Sequence, residues 1–442
     1  MASPNLRDAL FASIEASKPL KKESQRQFFC IQQLEQFVGL LGSGWHVKPF
    51  GSAANSFLTR GGDLDVTCFH ESVQDQDTSR AAHELQHKLL PLLSCHPRFK
   101  IVEEIWTARV PIVKLMFDET MEVDLSCHNP QALQNTYLLK AYAELDEQVR
   151  NLVLAAKLWA KSEGVSGAPG GHLSSYSLTL MALYFLQVEV GMPCLNTAAF
   201  SSKGSAPEVD NISWACGVNL VDLVTRFFAF FAGAEGGFQW GREVISVRKG
   251  RRLATNGLDF AMLPGRLTSR LHIEDPFLLA RNLNCVLSLE NEQLLRVKLG
   301  QAASTMYCGG IPNAFVPDAA ESLASDTDVD ASTTISTTVS AKSFSDLGPH
   351  ASESPDSRFG ALAKPWYQAA VRPADGRSED SYWKSGGVSS ALWGCSLQNP
   401  PAVATHNRLL EDMHALLQGA PQCLAPLPED LPLPSFELRF EL

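Results

Sequence analysis

The sequence predicts an α+β protein with a small mixed sheet, a mainly helical body and a disordered acidic tail. The first third contains two β-rich runs, residues 110–117 and 121–127, which a short polar turn separates. From residue 145 onward, apolar spacing and capping residues indicate helices. After residue 310 the chain becomes rich in Ser, Thr and Asp, a composition that buries too little apolar surface to offset chain entropy.

The elements of the first third form a sheet with helical cover. Residues 24–41 and 79–93 have helical spacing, and we expect both helices to pack on the sheet. The two β-rich runs predict an antiparallel hairpin. This hairpin would lie beside the strand that carries Asp63.

The helical body shows clear starts and ends. Residues 145–163 end before Gly164, and residues 220–232 end before Gly233, because glycine favours the left-handed conformation that closes a helix. Residues 174–187 begin with a serine cap. The paired phenylalanines within 220–232 are predicted to be core residues.

Three parts of the chain follow from these elements. We predict a sheet-bearing domain at residues 22–140, a helical domain at 141–308 that includes the N-terminal helix in residues 1–21, and a disordered tail at 309–442. The net charge is −11, and residues 311–442 hold 17 acidic and 8 basic residues against 31 and 29 in residues 1–310. The acidity therefore belongs mainly to the tail.

The tail contains aromatic islands that could dock protein partners. These islands are Trp366, Tyr367, Trp383 and Trp393. Residues 409–417 have the spacing of a short amphipathic helix.

Composition places the protein in the cytoplasm, with the nucleus as the alternative. No apolar run reaches the roughly 20 residues that span a bilayer, and the N-terminus lacks the pattern of a signal peptide. We therefore expect no membrane partner. The ten cysteines are scattered without a C-x-x-C pair, which favours free thiols in a reducing compartment over zinc ligands or disulfides.

A Gly-Ser step followed by two aspartates is the most informative motif. Asp63 and Asp65 are two residues apart, so on a strand both carboxylates point to one face and can share a divalent cation. Two metal ions about 3.5 to 4 Å apart need a third carboxylate, and Asp124 is the candidate. Gly51 and Ser52 would open a short helix over residues 52–58 and hold phosphate on its free N–H groups.

These residues resemble the DNA polymerase β-type nucleotidyltransferases. Three downstream blocks are similar to one branch of them, the terminal uridylyltransferases and their poly(A) polymerase relatives. The blocks read Lys-Leu-Trp-Ala-Lys at 157–161, Gly-His-Leu-Ser-Ser-Tyr at 171–176 and Ile-Glu-Asp-Pro-Phe at 273–277. The resemblance runs from about residue 50 to 305. It implies a catalytic nucleotidyltransferase domain at 22–140 and a helical poly(A)-polymerase-associated domain at 141–308.

The resemblance also implies template-independent nucleotidyl transfer to an RNA 3′ end. Asp63 and Asp65 would hold the metal on the triphosphate, and all three aspartates would hold a second metal that activates the RNA 3′-hydroxyl. The cofactor would be a pair of Mg²⁺ or Mn²⁺ ions, and pyrophosphate would leave. Asp124 is the expected proton acceptor.

Matching positions predict the nucleotide contacts. Lys157 and Lys161 share a helix face, and the matching lysines of the family hold triphosphate oxygens. Ser175 occupies the position of a phosphate-binding hydroxyl, and Tyr176 that of a ring that stacks on any base.

Two asparagines match family residues near the nucleotide sugar. They are Asn129 and Asn135, and an amide that reads a 2′-hydroxyl would favour ribonucleotides. Helix capping and loop structure are their alternative roles. The basic run at 248–252 is the densest in the chain and could contact RNA backbone, with a solvated loop as the alternative.

Base choice depends on the block that contains Asp275, a predicted nucleotide-binding residue. Uridylyl-adding relatives typically have an acidic residue at the position of Leu278 and a histidine at that of Arg281, and the family arginine after Asn282 is replaced by Cys285. Arg281 offers only hydrogen-bond donors, which suit O4 of uracil and oppose the N6 amino group of adenine. We therefore favour UTP over ATP as substrate.

Three alternatives remain open. The chain could be a poly(A) polymerase that uses ATP. It could be a catalytically silent scaffold that binds RNA or a partner, although all three carboxylates are present. It could also transfer nucleotides to a small acceptor rather than to RNA.

Overall fold

The computed structural model describes residues 5–70, 72–73, 79–200, 212–255 and 270–316. Within these ranges the predicted α+β class is confirmed. The aromatic islands, residues 409–417 and most of the predicted tail lie outside the described residues.

Five strands form one mixed sheet in the N-terminal part of the chain. Their bounds are β1 Trp45–Phe50, β2 Leu64–His70, β3 Phe99–Ile105, β4 Ile112–Phe117 and β5 Met121–Cys127. The strand order is β1-β2-β5-β4-β3, in which β2 and β5 run parallel and the other pairs run antiparallel. The predicted hairpin is β4 and β5. Its turn places Asp118 and Glu119 at φ of 50° and 58°, the positive values that a tight hairpin requires.

Helices cover one face of this sheet, as the sequence predicts. The elements are α2 Lys21–Gly39, α3 Ser79–Glu84, a π-helical turn Leu85–Leu89 and α4 Leu90–Ser94. Apolar side chains from both helical segments form a core with the inward residues of the strands, including Leu34, Leu85 and Val113. The opposite face of the sheet carries Asp65, Lys114, Glu122 and Asp124.

The helical body has its own core. Its helices are α1 Leu6–Ser17, α5 Pro130–Leu145, α6 Glu147–Ser162, α7 Ser175–Val190, α8 Leu220–Phe231 and α9 Leu289–Tyr307. The four phenylalanines of α8 are buried in this core, which confirms their predicted role: Phe227, Phe228, Phe230 and Phe231. A short parallel pair, β6 Val244–Ile245 and β7 His272–Ile273, lies next to α7.

Three features of the helical body differ from the prediction. Helix α5 was not predicted, and it begins at Pro130, whose missing N–H costs nothing in the first turn. Asp146 interrupts the helix that was expected to start at residue 145, because its backbone is extended and its side chain caps α6 through the N–H of Gln148. Residues 311–316, assigned to the tail, contact the helical body, and Phe315 is completely buried there.

The described residues contain no helix that is long and apolar enough to cross a membrane. The eight cysteines in the described ranges are all free thiols, as expected.

Candidate active site

The sheet brings the three aspartates together. Asp65 on β2 is the direct register partner of Asp124 on β5, and parallel neighbours in register point to the same face. Asp63 lies immediately before β2, and its charge acts on both Asp65 and Asp124. The exposed Asp63 and the half-buried Asp65 and Asp124 therefore form one carboxylate cluster at the start of the parallel pair.

The cluster concentrates negative charge. The pKa of Asp65 is raised to about 7, first by burial and then by the charges of Asp124 and Asp63, while the Lys157 ammonium opposes the shift. Burial also raises the pKa of Asp124, and Lys114 is the largest influence in the opposite direction. A carboxylate that is hard to ionise in the absence of a cation is one that a divalent cation would stabilise.

The donor set fits Mg²⁺ or Mn²⁺, since carboxylate oxygens are the ligands that these hard ions prefer. Among the described residues, no three Asp, Glu, His or Cys side chains close around a single ion position. An open arrangement is compatible with Mg²⁺, which keeps several waters and binds through one or two carboxylates plus substrate phosphates.

Gly51 is required by the carboxylate cluster. Its φ is +66°, and a Cβ at this position would lie 2.2 Å from Oδ2 of Asp65. The N–H of Gly51 donates to Oγ1 of Thr136 at 2.9 Å, so it is not directed at an anion as predicted. The expected helix over residues 52–58 is wrong: Ser52 lies in a single 3₁₀ turn, Gly51–Ala53, and a turn and irregular backbone follow it.

Lys157 stands beside Asp65 at the junction of the sheet and the helical body. Its Nζ donates to the carbonyl oxygen of Phe57 at 2.6 Å. Burial lowers the pKa of this ammonium to about 8, although Asp65 acts in the opposite direction. Lys161 follows one helical turn later on α6 and is exposed.

Tyr176 and Asn135 are in contact. The Tyr176 hydroxyl donates to Oδ1 of Asn135 at 3.0 Å, which joins α7 to α5. Burial raises the pKa of Tyr176 well above its usual range, with Asp275 acting in the same direction and Arg281 against it. The side chains of Asn135, Tyr176, Asp275 and Arg281 therefore form a second cluster.

Asn129 and Ser175 take local positions. The Asn129 side chain caps α5 by accepting the N–H of Ala132 at 3.3 Å, the capping role considered above. Its own N–H donates to Oγ1 of Thr67. Ser175 is the first residue of α7 and is exposed, while Ser174 provides the cap.

Asp275 is fully buried and shapes its own turn. Its Oδ1 accepts the N–H groups of Phe277 and Leu278, both at 3.1 Å. Its Oδ2 lies 3.7 Å from a guanidinium nitrogen of Arg281 and accepts no hydrogen bond. Burial is the main reason that the pKa of Asp275 is raised. Asp275 thus orients Arg281, whose side chain remains 47% exposed.

The basic run at 248–252 is largely committed to internal ion pairs. Arg248 donates to the buried carboxylate of Glu274 at 2.6 Å. Arg252 pairs with the buried Glu243 at 3.0 Å. These internal ion pairs were not predicted from the sequence; contact of the run with RNA backbone stays a prediction. Lys249 and Arg251 are exposed.

We expect Arg248→Met to destabilise the protein by about 3 kcal/mol, because it leaves the Glu274 carboxylate buried without its charged partner. Urea unfolding of purified protein measures this loss. Arg251→Gln, on the exposed neighbour three residues away, is the matched control and should change the free energy of unfolding by less than about 0.5 kcal/mol. Equal stabilities of the two variants would contradict this account of Arg248.

Three residues of the site were not predicted. Oγ1 of Thr136 accepts a hydrogen bond from the N–H of Gly51, and the carbonyl oxygen of Phe57 accepts one from Lys157. Lys114 lies directly opposite Asp124 in the β4–β5 register. No sequence spacing signals the first two, since folding joins residues 85 and 100 positions apart. The alternating pattern of the hairpin, aligned across its turn, could have identified Lys114.

Two family descriptions match this chain. Residues 6–144 match the central palm domain of mitochondrial-like poly(A) RNA polymerase, and residues 219–281 match the Cid1 family poly A polymerase domain. Human terminal uridylyltransferase 7 is 32% identical over 289 residues, which cover 60% of this chain and 18% of that protein. Human poly(A) RNA polymerase GLD2 is 30% identical over 274 residues, which cover 57% of this chain and 55% of that protein. The chain thus spans less than two thirds of either relative.

Solved structures share the fold. The Cid1 poly(U) polymerase superposes with a TM-score of 0.55 at 22% identity, covering 67% of this chain and 92% of that one. The structure of mtPAP in complex with UTP superposes with a TM-score of 0.58 at 21% identity, covering 69% of each chain.

A mixed sheet that presents aspartates beside a Gly-Ser turn, followed by a helical body, defines a polymerase β-like nucleotidyltransferase fold. Within that class, the chain is similar to the terminal uridylyltransferases and poly(A) polymerases. This confirms the resemblance noted in the sequence.

Proposed function

We propose that this protein is a template-independent RNA 3′-terminal nucleotidyltransferase that adds UMP from UTP and releases pyrophosphate. The observation that carries the proposal is the pairing of Asp65 with Asp124 on one face of the sheet, with the charges of Asp63 and Lys157 acting on Asp65. The alternative is a poly(A) polymerase that uses ATP, which the similarity to GLD2 favours. The expected RNA and nucleotide partners, and a cytoplasmic location, are part of the proposal.

The reaction is an in-line displacement at the α-phosphorus of the nucleotide. The RNA 3′ oxygen forms the new bond, the bond to the bridging oxygen breaks, and pyrophosphate leaves. Divalent cations would neutralise charge on the triphosphate and on the attacking oxygen. Asp63 and Asp65 would hold the ion on the triphosphate side, and Asp124 would join them for the second ion. Asp124 would also accept the proton from the 3′-hydroxyl.

The positively charged residues orient the triphosphate. Lys157 is half-buried beside Asp65, where a fixed ammonium can bind phosphate oxygens without reorganisation during the reaction. Lys161, on the same face of α6, would reach the terminal phosphate. Tyr176 would stack on the base, and Asn135, already in contact with that ring, would read the 2′-hydroxyl.

Uracil preference is assigned to Arg281. The charge of its guanidinium acts on the Tyr176 phenol, and Oδ2 of Asp275 lies 3.7 Å from a guanidinium nitrogen. A donor at this edge would pair with O4 of uracil. Asp275 partly neutralises the charge of Arg281, which weakens the expected preference for UTP over ATP without reversing it.

The decisive assay offers UTP, ATP, CTP and GTP singly to the purified protein with a short labelled RNA and Mg²⁺ or Mn²⁺. Addition of U tracts supports the uridylyl assignment, and addition of A tracts supports the alternative. If no product forms with any nucleotide or metal, the proposed activity is overturned, and the catalytically silent scaffold is the remaining interpretation. Product on a mononucleotide acceptor but not on RNA would indicate a small acceptor.

We expect Arg281→Ala to lower the ratio of kcat/KM for UTP to that for ATP by about tenfold, since one hydrogen bond to a charged group contributes about 1.5 kcal/mol. Steady-state kinetics with both nucleotides measure the ratio. Arg296→Ala on α9 is the control, because this guanidinium packs over Trp240 and pairs with Glu292. An unchanged ratio in Arg281→Ala would remove the residue from base selection.

A further inference from the structure

The carboxylate cluster continues across the sheet as a charged row. The register aligns Asp65 on β2 with Asp124 on β5, then Lys114 on β4, then Glu103 on β3. Neighbouring strands are about 4.8 Å apart, so each side chain stands next to the following one. Lys114 is therefore the cation next to Asp124 on the side that faces away from β2.

The two sides of the triad carry separate lysines. Lys157 acts on Asp65, and Lys114 acts on Asp124. In an in-line displacement the attacking and leaving oxygens lie on opposite sides of the phosphorus. If the triphosphate lies on the Lys157 side, the RNA that brings the 3′-hydroxyl must approach from the Lys114 side.

The sheet face beyond Lys114 can accommodate a single strand of RNA. Lys114 and Glu103 are both exposed, with side-chain exposures of 46% and 55%, and their ion pair is 3.4 Å long. The adjacent row holds Met116 on β4 and the exposed Lys100 on β3, which are register partners. A β-bulge between Ile101 and Glu103 separates the two rows on β3, and Lys100 and Lys114 lie in neighbouring rows of this face.

We propose that the open face of β4 and β3 holds the last nucleotides of the acceptor RNA, with Lys114 contacting the phosphodiester next to the reacting 3′ end and Lys100 the preceding one. This inference rests on the proposed function. Lys114 is a positioning residue that holds the strand rather than the reacting atoms.

Glu103 restrains this contact. Its carboxylate pairs with Lys114 in the free protein, and an exposed pair of this length contributes at most about 1 kcal/mol. A phosphodiester can therefore replace Glu103 at low cost. Removing the Glu103 charge should strengthen RNA binding, whereas removing the Lys114 charge should weaken it.

The test measures binding of a short labelled single-stranded RNA in Mg²⁺ buffer without nucleotide, over a series of salt concentrations. We expect Lys114→Gln to raise the RNA Kd at least about fivefold and to lower the slope of log Kd against log salt by about 0.7, the value for one lost phosphate contact on a single strand. Lys114→Arg should restore both. Glu103→Gln should lower the Kd several-fold.

Lys88→Gln is the matched control. Lys88 also pairs with a glutamate, Glu84, at 2.7 Å and is also exposed, but it lies on the helical segment that covers the other face of the sheet. Its RNA Kd and salt slope should equal those of the wild type.

Steady-state kinetics separate this inference from the proposed function. Lys114→Gln should raise KM for RNA and leave KM for the nucleotide unchanged. An active wild type in which Lys114→Gln alters neither the RNA Kd nor its salt slope overturns the inference and leaves the proposed function standing. A wild type that transfers no nucleotide to RNA overturns both.

Discussion

Asp124→Ala is expected to lower kcat for nucleotidyl transfer by at least about 1,000-fold, equivalent to about 4 kcal/mol of transition-state stabilisation. Asp124 is the carboxylate that the register places against Asp65, and it is the proposed acceptor of the 3′-hydroxyl proton. Binding of UTP should survive, because Asp63, Asp65 and Lys157 remain. Single-turnover transfer and equilibrium binding of UTP, measured on the same preparation, test both parts.

Glu122→Gln is the control for Asp124→Ala. Glu122 is two residues earlier on β5 and points to the same face, but it is not one of the aspartates assigned to the metal ions. We expect its kcat to remain within about threefold of the wild type. Full transfer activity in Asp124→Ala would refute the carboxylate assignment and the mechanism built on it.

Asp65→Asn is expected to abolish transfer and yet stabilise the metal-free protein. The folded pKa of about 7 lies above the ordinary value of 3.8, so between these values the folded protein binds a proton that the unfolded chain does not. The stability of the wild type therefore falls as pH rises from about 4 to 7, and the full cost is present above 7. The asparagine variant lacks this cost.

Thermal unfolding in EDTA measures the difference. At pH 8 we expect the Tm of Asp65→Asn to exceed that of the wild type by at least about 3 °C, the shift that about 1 kcal/mol produces in a protein of this size. At pH 5 the gap should shrink. Mg²⁺ or Mn²⁺ should raise the Tm of the wild type much more than that of the variant.

Asp118→Asn provides the same acid-to-amide change in the β4–β5 turn, away from the cluster. Its Tm difference from the wild type should not depend on pH 5 versus 8 or on added metal. A Tm of Asp65→Asn below that of the wild type at pH 8 would mean that the three carboxylates do not repel one another as described.

Local sequence patterns predicted the secondary-structure elements of this site, but not which partners the side chains contact. The hairpin and the strand of Asp65 follow from alternation and turn residues, so the convergence of the aspartates was predictable. The close approach of the Asp65 carboxylate to Gly51 was not predicted, although Gly51 itself was recognised. That contact depends on a fold that sequence spacing does not encode.

Buried ion pairs were the least predictable feature. Arg248 and Glu274 are 26 positions apart, and nothing in either segment indicates their pairing. Exposed basic residues and buried ones look alike in a sequence. The same limit applies to Asp275, whose carboxylate holds its own turn and Arg281.

Adjacent residues of α5 anchor opposite walls of the proposed nucleotide site. Thr136 accepts a hydrogen bond from the N–H of Gly51, and Asn135 accepts one from the hydroxyl of Tyr176. A slide or rotation of this one helix would displace both walls together. The phosphate end and the base end of the pocket are thus mechanically linked, so that a substitution which loosens α5 would disturb triphosphate alignment and base stacking in a single step.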